Sequence, residues 1–261
     1  MTVSERFQGA NIVNAGRLSP YWGEHVARYI FALPFVNEKS VLDIACGTGY
    51  GLAFLKRNAK LLVGIDLDIN AAIESKSEWD KKTSVLIGNG LSLPFKDNSF
   101  DVITSFETLE HLNERGNFLM ELKRVLKENG LLILSTPNAN YTNPVAGVPK
   151  NPFHIFEYAP EQLLTELRQH FVVQNFLGQS LNKTFGIPPF ADAHQKLPGD
   201  IPTQIKLTGW KVLNKMPFKL RESISEALWK KPFYPTENDY EFAIRTIDTA
   251  PVLLAVCSKI A

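Results

Sequence analysis

The stretch "SVLDIACGTGYGLAFL", Ser40–Leu55, decides the fold. It opens with an apolar run, Val41 to Ala45, broken by a single acid at Asp43, and it ends in a helix-like segment from Tyr50 onward. Between the two stand Gly47, Gly49 and Gly51 on alternate positions. A strand that turns into a helix through glycines lets the backbone take positive φ and leaves amide N–H groups without partners, so a small ligand with a negative group can lie against them. A dinucleotide loop reads G-x-G-x-x-G, its third glycine allowing the helix to pack beneath a pyrophosphate. Here the spacing is G-x-G-x-G, and Leu52 occupies that third place. On its own the loop is also compatible with a tight strand-to-helix turn that holds nothing.

Upstream, "YWGEHVARYIFALPFV" (residues 21–36) spaces Trp22, Val26, Ile30 and Leu33 as a helix does, and the pattern stops at Pro34. Downstream, short β-like runs alternate with amphipathic ones. "LLVGID" precedes residues 69–79, "SVLIG" follows, "FDVITSF" precedes residues 117–126, and "GLLILST" comes next. Strands alternating with helices predict βαβ units and a parallel sheet. Residues 137–160 are rich in Pro and Asn and read as a loop system, Pro160 starts a helix through "EQLLTELRQH", and "FVVQNFLG" and "PVLLAVCSK" read as closing strands. The expected organisation is one α/β domain over residues 1–261, with an N-terminal helical lid in 1–39 and an aromatic-rich insertion over the acceptor site in 180–245.

At 261 residues the chain can bury a sizeable core, and its formal net charge of +1 supplies no bulk attraction to nucleic acid or a membrane surface. Two cysteines, Cys46 and Cys257, suggest neither a disulfide framework nor a zinc cluster, so a reducing, cytoplasmic setting and no metal are expected. The N-terminus has no apolar targeting segment, and no apolar run approaches the roughly 20 residues of a membrane span.

Further positions agree with a cofactor loop. Asp66 closes "LVGID" about 20 residues beyond the first glycine, where an acid accepts hydrogen bonds from ribose hydroxyls. Leu67 follows as a face for adenine, while Asp68 reads as the N-cap of the helix from Ile69.

Taken in order, "VLDIACGTGYG", "GIDLD", "LPFKDNSFDVI", "ETLEHL" and "LKRVLKENGLLILSTPN" resemble the motifs of class I S-adenosylmethionine-dependent methyltransferases over residues 40–138. The resemblance implies a Rossmann-like, seven-stranded, mostly parallel sheet with helices on both faces and the last strand antiparallel. It implies S-adenosylmethionine as cofactor. Asp43 and the backbone of Ala45, Cys46, Gly47, Thr48, Gly49 and Gly51 then surround its methionine part, and Asp66 takes the ribose. The family's G-D-A after the third strand is Gly88-Asn89-Gly90 here, so Asn89 offers adenine a neutral carbonyl acceptor. Phe106 and Glu107 border the methyl group, with core packing as the other reading of Phe106. "FETLEHL" lacks the (D/N)-P-P-(Y/F) pattern of enzymes that methylate nucleic-acid bases, which argues against a nucleic-acid partner.

Methyl transfer is an in-line displacement that depends chiefly on alignment and exclusion of water, and a hydroxyl acceptor also gains from a base. Among five histidines, His154 in "NPFHIFEY" is the first candidate, with Glu157 to orient its ring; His111 is another, and His25 packs or bases in the leading helix. His170 and His194 have no supporting motif. "NPFH-x-x-EY" and "EHVARYIFA" resemble a subgroup of these enzymes in bacterial sugar and polysaccharide pathways, which tilts the acceptor towards a sugar-like hydroxyl of a small molecule or glycan. Phe185, Phe190, Trp210, Phe218, Trp229, Phe233 and Tyr234 can cover such an acceptor or form the insertion's own core. The alternatives are a lipid quinone or phenol as acceptor, a nicotinamide-dependent oxidoreductase, disfavoured by the missing third glycine, and a non-catalytic cofactor-binding subunit.

Overall fold

The computed structural model describes residues 20–74, 80–182 and 201–259. Its sheet follows from the alternation in the sequence. Strands β1 (Ser40–Ile44), β2 (Leu61–Asp66), β3 (Thr83–Ile87), β4 (Phe100–Phe106) and β5 (Leu126–Pro137) pair in parallel in the order β3-β2-β1-β4-β5. The crossover helices α2 (Tyr50–Leu55), α3 (Ile69–Glu74) and α4 (Arg115–Val125) return the chain. Val41, Leu42, Ile103, Leu132, Ile133 and Leu134 are wholly buried, as expected of strands covered on both faces. Each such side chain contributes about 1.5–3 kcal/mol of transfer free energy, so the middle of the sheet is its firmest part.

After the short helix α5 (Ala139–Thr142), the helix α6 (Pro160–Arg168) begins at the proline, as expected, and leads into β6 (Phe171–Leu181). The last strand, β8 (Val252–Lys259), lies antiparallel between β5 and β6, as the resemblance implies. An eighth strand, β7 (Tyr240–Ala243), extends the sheet beyond β6. It was not legible in the sequence because four residues at an edge are held by backbone pairing and show no periodicity. Ahead of it, α7 (Ile201–Asn214) and α8 (Phe218–Trp229) carry Trp210, stacked on Phe233 at 5.2 Å, and Arg221, 4.5 Å above the Tyr234 ring. Phe185 and Phe190 of the expected cover lie outside the described residues.

The leading helix, α1 (Trp22–Val36), runs two residues past the proline expected to end it. Pro34 forfeits one helical N–H, but its fixed φ suits the turn and buried Val36 holds the end down. The buried face is Trp22, Val26, Tyr29, Ala32 and Val36, whereas Ile30 points outward at 37% exposure. A Cβ on Gly23 would meet Pro235 O at 2.4 Å, and Phe31 packs on Phe242 at 4.7 Å, so α1 is clamped against β7 and the segment leading into it.

Two of the sequence motifs are joints. Arg124 donates to the carbonyls of Phe95 (2.8 Å) and Leu93 (3.1 Å), fixing the "LPFKD" loop to α4. Buried Asn138 donates to the carbonyls of Ile247 and Ala250, both at 2.8 Å, fixing the end of β5 to the approach of β8.

Candidate functional site

In an open parallel sheet, ligands bind outside the carboxyl ends of the strands where the order reverses. Here that place is the end of β1, between β2 and β4. Ala45 (φ +56°), Gly47 (φ +54°) and Gly49 (φ +80°) turn the chain from β1 into α2. Left-handed backbone costs a residue with a Cβ about 1–2 kcal/mol, so Ala45 is held against its preference by the surrounding bonds. Cys46 N donates to Ile65 O at 3.2 Å. Asp66 accepts from Gly47 N on one oxygen and from Asp68 N on the other, both at 2.9 Å. One carboxylate thus spans the ends of β1 and β2, and Asp68 in turn accepts from Asn70 N at 2.7 Å, the capping contact expected of it.

Beneath this loop Asp43 is wholly buried, accepting from Thr104 Oγ1 at 2.6 Å and from Tyr29 OH at 3.2 Å. Burial pushes its carboxyl up to about 7, the neighbouring Asp66 adding to the rise while the Thr104 and Tyr29 hydrogen bonds oppose it. An acid whose folded pKa lies above its unfolded value of about 4 stabilises fully below that value and loses the contribution as pH rises to about 7. Asp43→Asn should therefore flatten the fall in stability between about pH 4 and 7 in cofactor-free protein. Urea midpoints measured across that range check it, and equal slopes for the two proteins would overturn it.

Tyr29 was missed in the sequence, where its only signal was helical spacing. Its ring stands edge-on to Tyr50 at 5.4 Å and to Phe106 at 5.0 Å, and a Cβ on Gly51 would lie 2.0 Å from it. The third glycine of the loop therefore admits a tyrosine from α1. Beside it Arg28, 1% exposed, pairs with Glu107 at 2.8 Å and Glu24 at 3.3 Å. Burial works against the charged guanidinium, but the two carboxylates more than offset it and raise its pKa. Glu24 is pushed up to about 7, chiefly by burial. His25 is half-buried edge-on to Tyr50, and desolvation followed by the Arg28 charge lowers its pKa well below the usual histidine value.

A second polar cluster lies at the ends of β4 and β5. His154 Nδ1 is 2.6 Å from Glu157 Oε1, the partnership expected from "NPFHIFEY", and the other Glu157 oxygen accepts from Thr142. The rings of His154 and His111 stand 5.1 Å apart, nearly perpendicular. His111 Nδ1 donates to Phe153 O at 2.9 Å, joining the "LEHL" turn to the "NPFH" loop. Glu110, between the motif's leucine and histidine, is wholly buried and accepts from Thr136 Oγ1 at 2.9 Å. Glu110, His111 and His154 bring one ligand atom each within 4.8 Å of one another.

The other expected residues divide. Leu67 is 73% exposed beside Asp66, open to a planar ring. Asn89 is exposed, its carbonyl already accepting from Leu91 N at 3.0 Å, and Gly90 follows it. Phe106 is 8% exposed and packs on Tyr29, which favours core over methyl contact. His170 stands apart against Phe171, and His194 lies outside the described residues.

S-adenosylmethionine fits this crevice on three observations. Thr48 Oγ1 in the loop and Ser105 Oγ near the end of β4 are buried without hydrogen-bond partners, and a Cβ on Gly47 would meet nothing within 4 Å. Leu67 lies open beside them. A methyltransferase domain model matches residues 42–134, the segment that holds β1 to β5. A probable S-adenosylmethionine-dependent methyltransferase of Mycobacterium tuberculosis is 34% identical over 148 residues, 56% of this chain and 54% of its own length. The chain thus spans about half the length of that relative. Demethylmenaquinone methyltransferase of Thermotoga maritima is 28% identical over 70% of this chain and 86% of its own. An S-adenosylmethionine-dependent methyltransferase of Mesorhizobium loti superposes with a TM-score of 0.54 at 13% identity, over 92% of this chain and 98% of its own, which speaks to the fold alone. With its motifs in order on this sheet, the chain is similar to S-adenosylmethionine-dependent methyltransferases, and its residues 42–134 match the methyltransferase domain.

Proposed function

We propose that this protein transfers a methyl group from S-adenosylmethionine to a hydroxyl of a small-molecule or glycan acceptor, sugar-like in character. The bound cofactor supplies an electrophilic methyl on a sulfonium. Asp66 and the amides of the 45–51 loop hold it, and Tyr29 with Phe106 closes the crevice from the α1 side, excluding water. His154 carries the acceptor end of the proposal. Its bond to Glu157 keeps the proton on Nδ1, and the Nε2 lone pair, which accepts from Asn151 Nδ2 at 3.0 Å, exchanges that contact for an acceptor hydroxyl and draws its proton.

The observation that carries this reading is the 2.6 Å His154–Glu157 pair beside the β4 and β5 ends, next to the cofactor crevice. Arg28, Glu107 and Ser135 bridge the two clusters, since Glu107 accepts from Ser135 Oγ at 2.7 Å. A hydroxyl acceptor explains a buried histidine–carboxylate pair, which an amine would not need. The Thermotoga relative supports a second reading, a quinone-like phenol. A cytoplasmic setting belongs to the proposal, supported by two free, buried cysteines, and no helix among the described residues is long and apolar enough to cross a membrane.

Labelled methyl transfer from S-adenosylmethionine into a fractionated cell extract tests it. Label in the sugar and sugar-nucleotide fraction is expected. Label in lipid transfers the conclusion to the quinone reading, and label in protein or nucleic acid, or none, overturns both.

A further inference from the structure

We propose that Glu110, His111 and His154 bind one first-row divalent cation, which sits at the acceptor end of the site and activates the acceptor hydroxyl. This deepens the hydroxyl-methylation reading and rests on it for the cation's role, though not for its binding. The cation, where present, does by polarisation what His154 alone would do by taking a proton.

The geometry has the features of a prepared ligand set. Glu110 Oε1 is buried without a hydrogen-bond partner, 3.8 Å from His111 Nε2, while Oε2 is oriented by Thr136. A wholly buried carboxylate oxygen left unpaired costs about 1–3 kcal/mol or more, and a bound cation removes that cost. Both imidazoles are oriented by a hydrogen bond through Nδ1. His111 gives its Nδ1–H to Phe153 O and His154 gives its own to Glu157, so each presents Nε2. A carbonyl or carboxylate on the far nitrogen is the arrangement that fixes metal-binding histidines. His154 Nε2 stands 3.0 Å from Asn151 Nδ2, a neutral contact that a cation displaces.

Dimensions agree. Ligand atoms about 2.0–2.1 Å from a tetrahedral metal stand about 3.3 Å apart, so closing from within 4.8 Å needs only side-chain adjustment. Two imidazoles and one carboxylate suit a first-row transition cation and leave positions open for an oxygen ligand. An acceptor hydroxyl on an open position releases its proton to solvent more readily, as a metal-bound water does.

The test is a titration of the chelator-stripped full chain with Co(II), read by visible absorption and by calorimetry, with Zn(II) in competition. One equivalent is expected to bind. Glu110→Gln, nearly the same shape, and His111→Ala, whose ring is a third exposed, should each weaken binding by at least about tenfold; His170→Ala should leave it unchanged. S-adenosylhomocysteine binding reports that each variant is folded. Absence of a stoichiometric site, or affinities unchanged in both variants, overturns the proposal. Co(II) bound at the triad without methyl transfer to any hydroxyl would sink the functional reading and leave the site standing, whereas transfer that survives chelation would sink the cation's role.

Discussion

His154→Ala should lower methyl-transfer turnover by about 10²–10⁴-fold, the range for losing a group that assists proton removal, while S-adenosylhomocysteine binds within a few-fold of wild type. The separation follows from the architecture. His154 is held by Glu157 and Asn151 from the loop after β5, whereas the proposed cofactor crevice lies at the ends of β1 and β2. Glu157→Gln retains the shape but loses the charge that fixes the ring, so it should fall between wild type and His154→Ala. Single-turnover rates with saturating cofactor, alongside calorimetric affinities, separate the two effects. Unchanged turnover would remove His154 from the chemistry.

Gly51→Ala should weaken cofactor affinity by at least about tenfold and destabilise the fold by about 1–3 kcal/mol, the usual range for overpacking. Its methyl would lie 2.0 Å from Tyr29 Cζ and 2.5 Å from the hydroxyl. A tyrosine tip usually yields to such an intrusion, but this one is confined. Tyr50 and Phe106 pack edge-on against the ring, Asp43 accepts its hydroxyl, and it is 3% exposed. Moving it means lifting α1 away from the loop. Thermal unfolding and S-adenosylhomocysteine titration check the prediction. Tyr29→Phe/Gly51→Ala gains nothing, because the ring remains, but Tyr29→Ala/Gly51→Ala should recover part of the lost stability by making room for the methyl. An unaltered Gly51→Ala would show that the ring has space it does not display.

The elements that the sequence announced are those whose signals are local. Strand β1 is a continuous apolar run, the glycines mark the turn after it, and Asp66 sits at the end of the next strand. The His154–Glu157 pair was legible for the same reason, since three residues within one loop bring their side chains together. At Pro34 the local preference of proline to end a helix is outweighed by the burial of Val36, which holds the last turn and which no local signal shows.

Long-range partnerships were invisible. Tyr29 reaches Asp43 and Gly51, Arg28 reaches Glu107, Asn138 reaches Ile247, and Glu110 meets His154 across the ends of β4 and β5. None of these pairs has a spacing that periodicity can register. Sequence alone thus determined the alternating sheet, the glycine turn after β1 and the acid at the end of β2, because hydrophobic period, glycine and strand-end position act within a few residues. Only the tertiary structure decided that α1 seals the loop through Tyr29 and that an acid and two histidines face one another, because burial and side-chain encounter depend on which strand ends the folded sheet sets side by side.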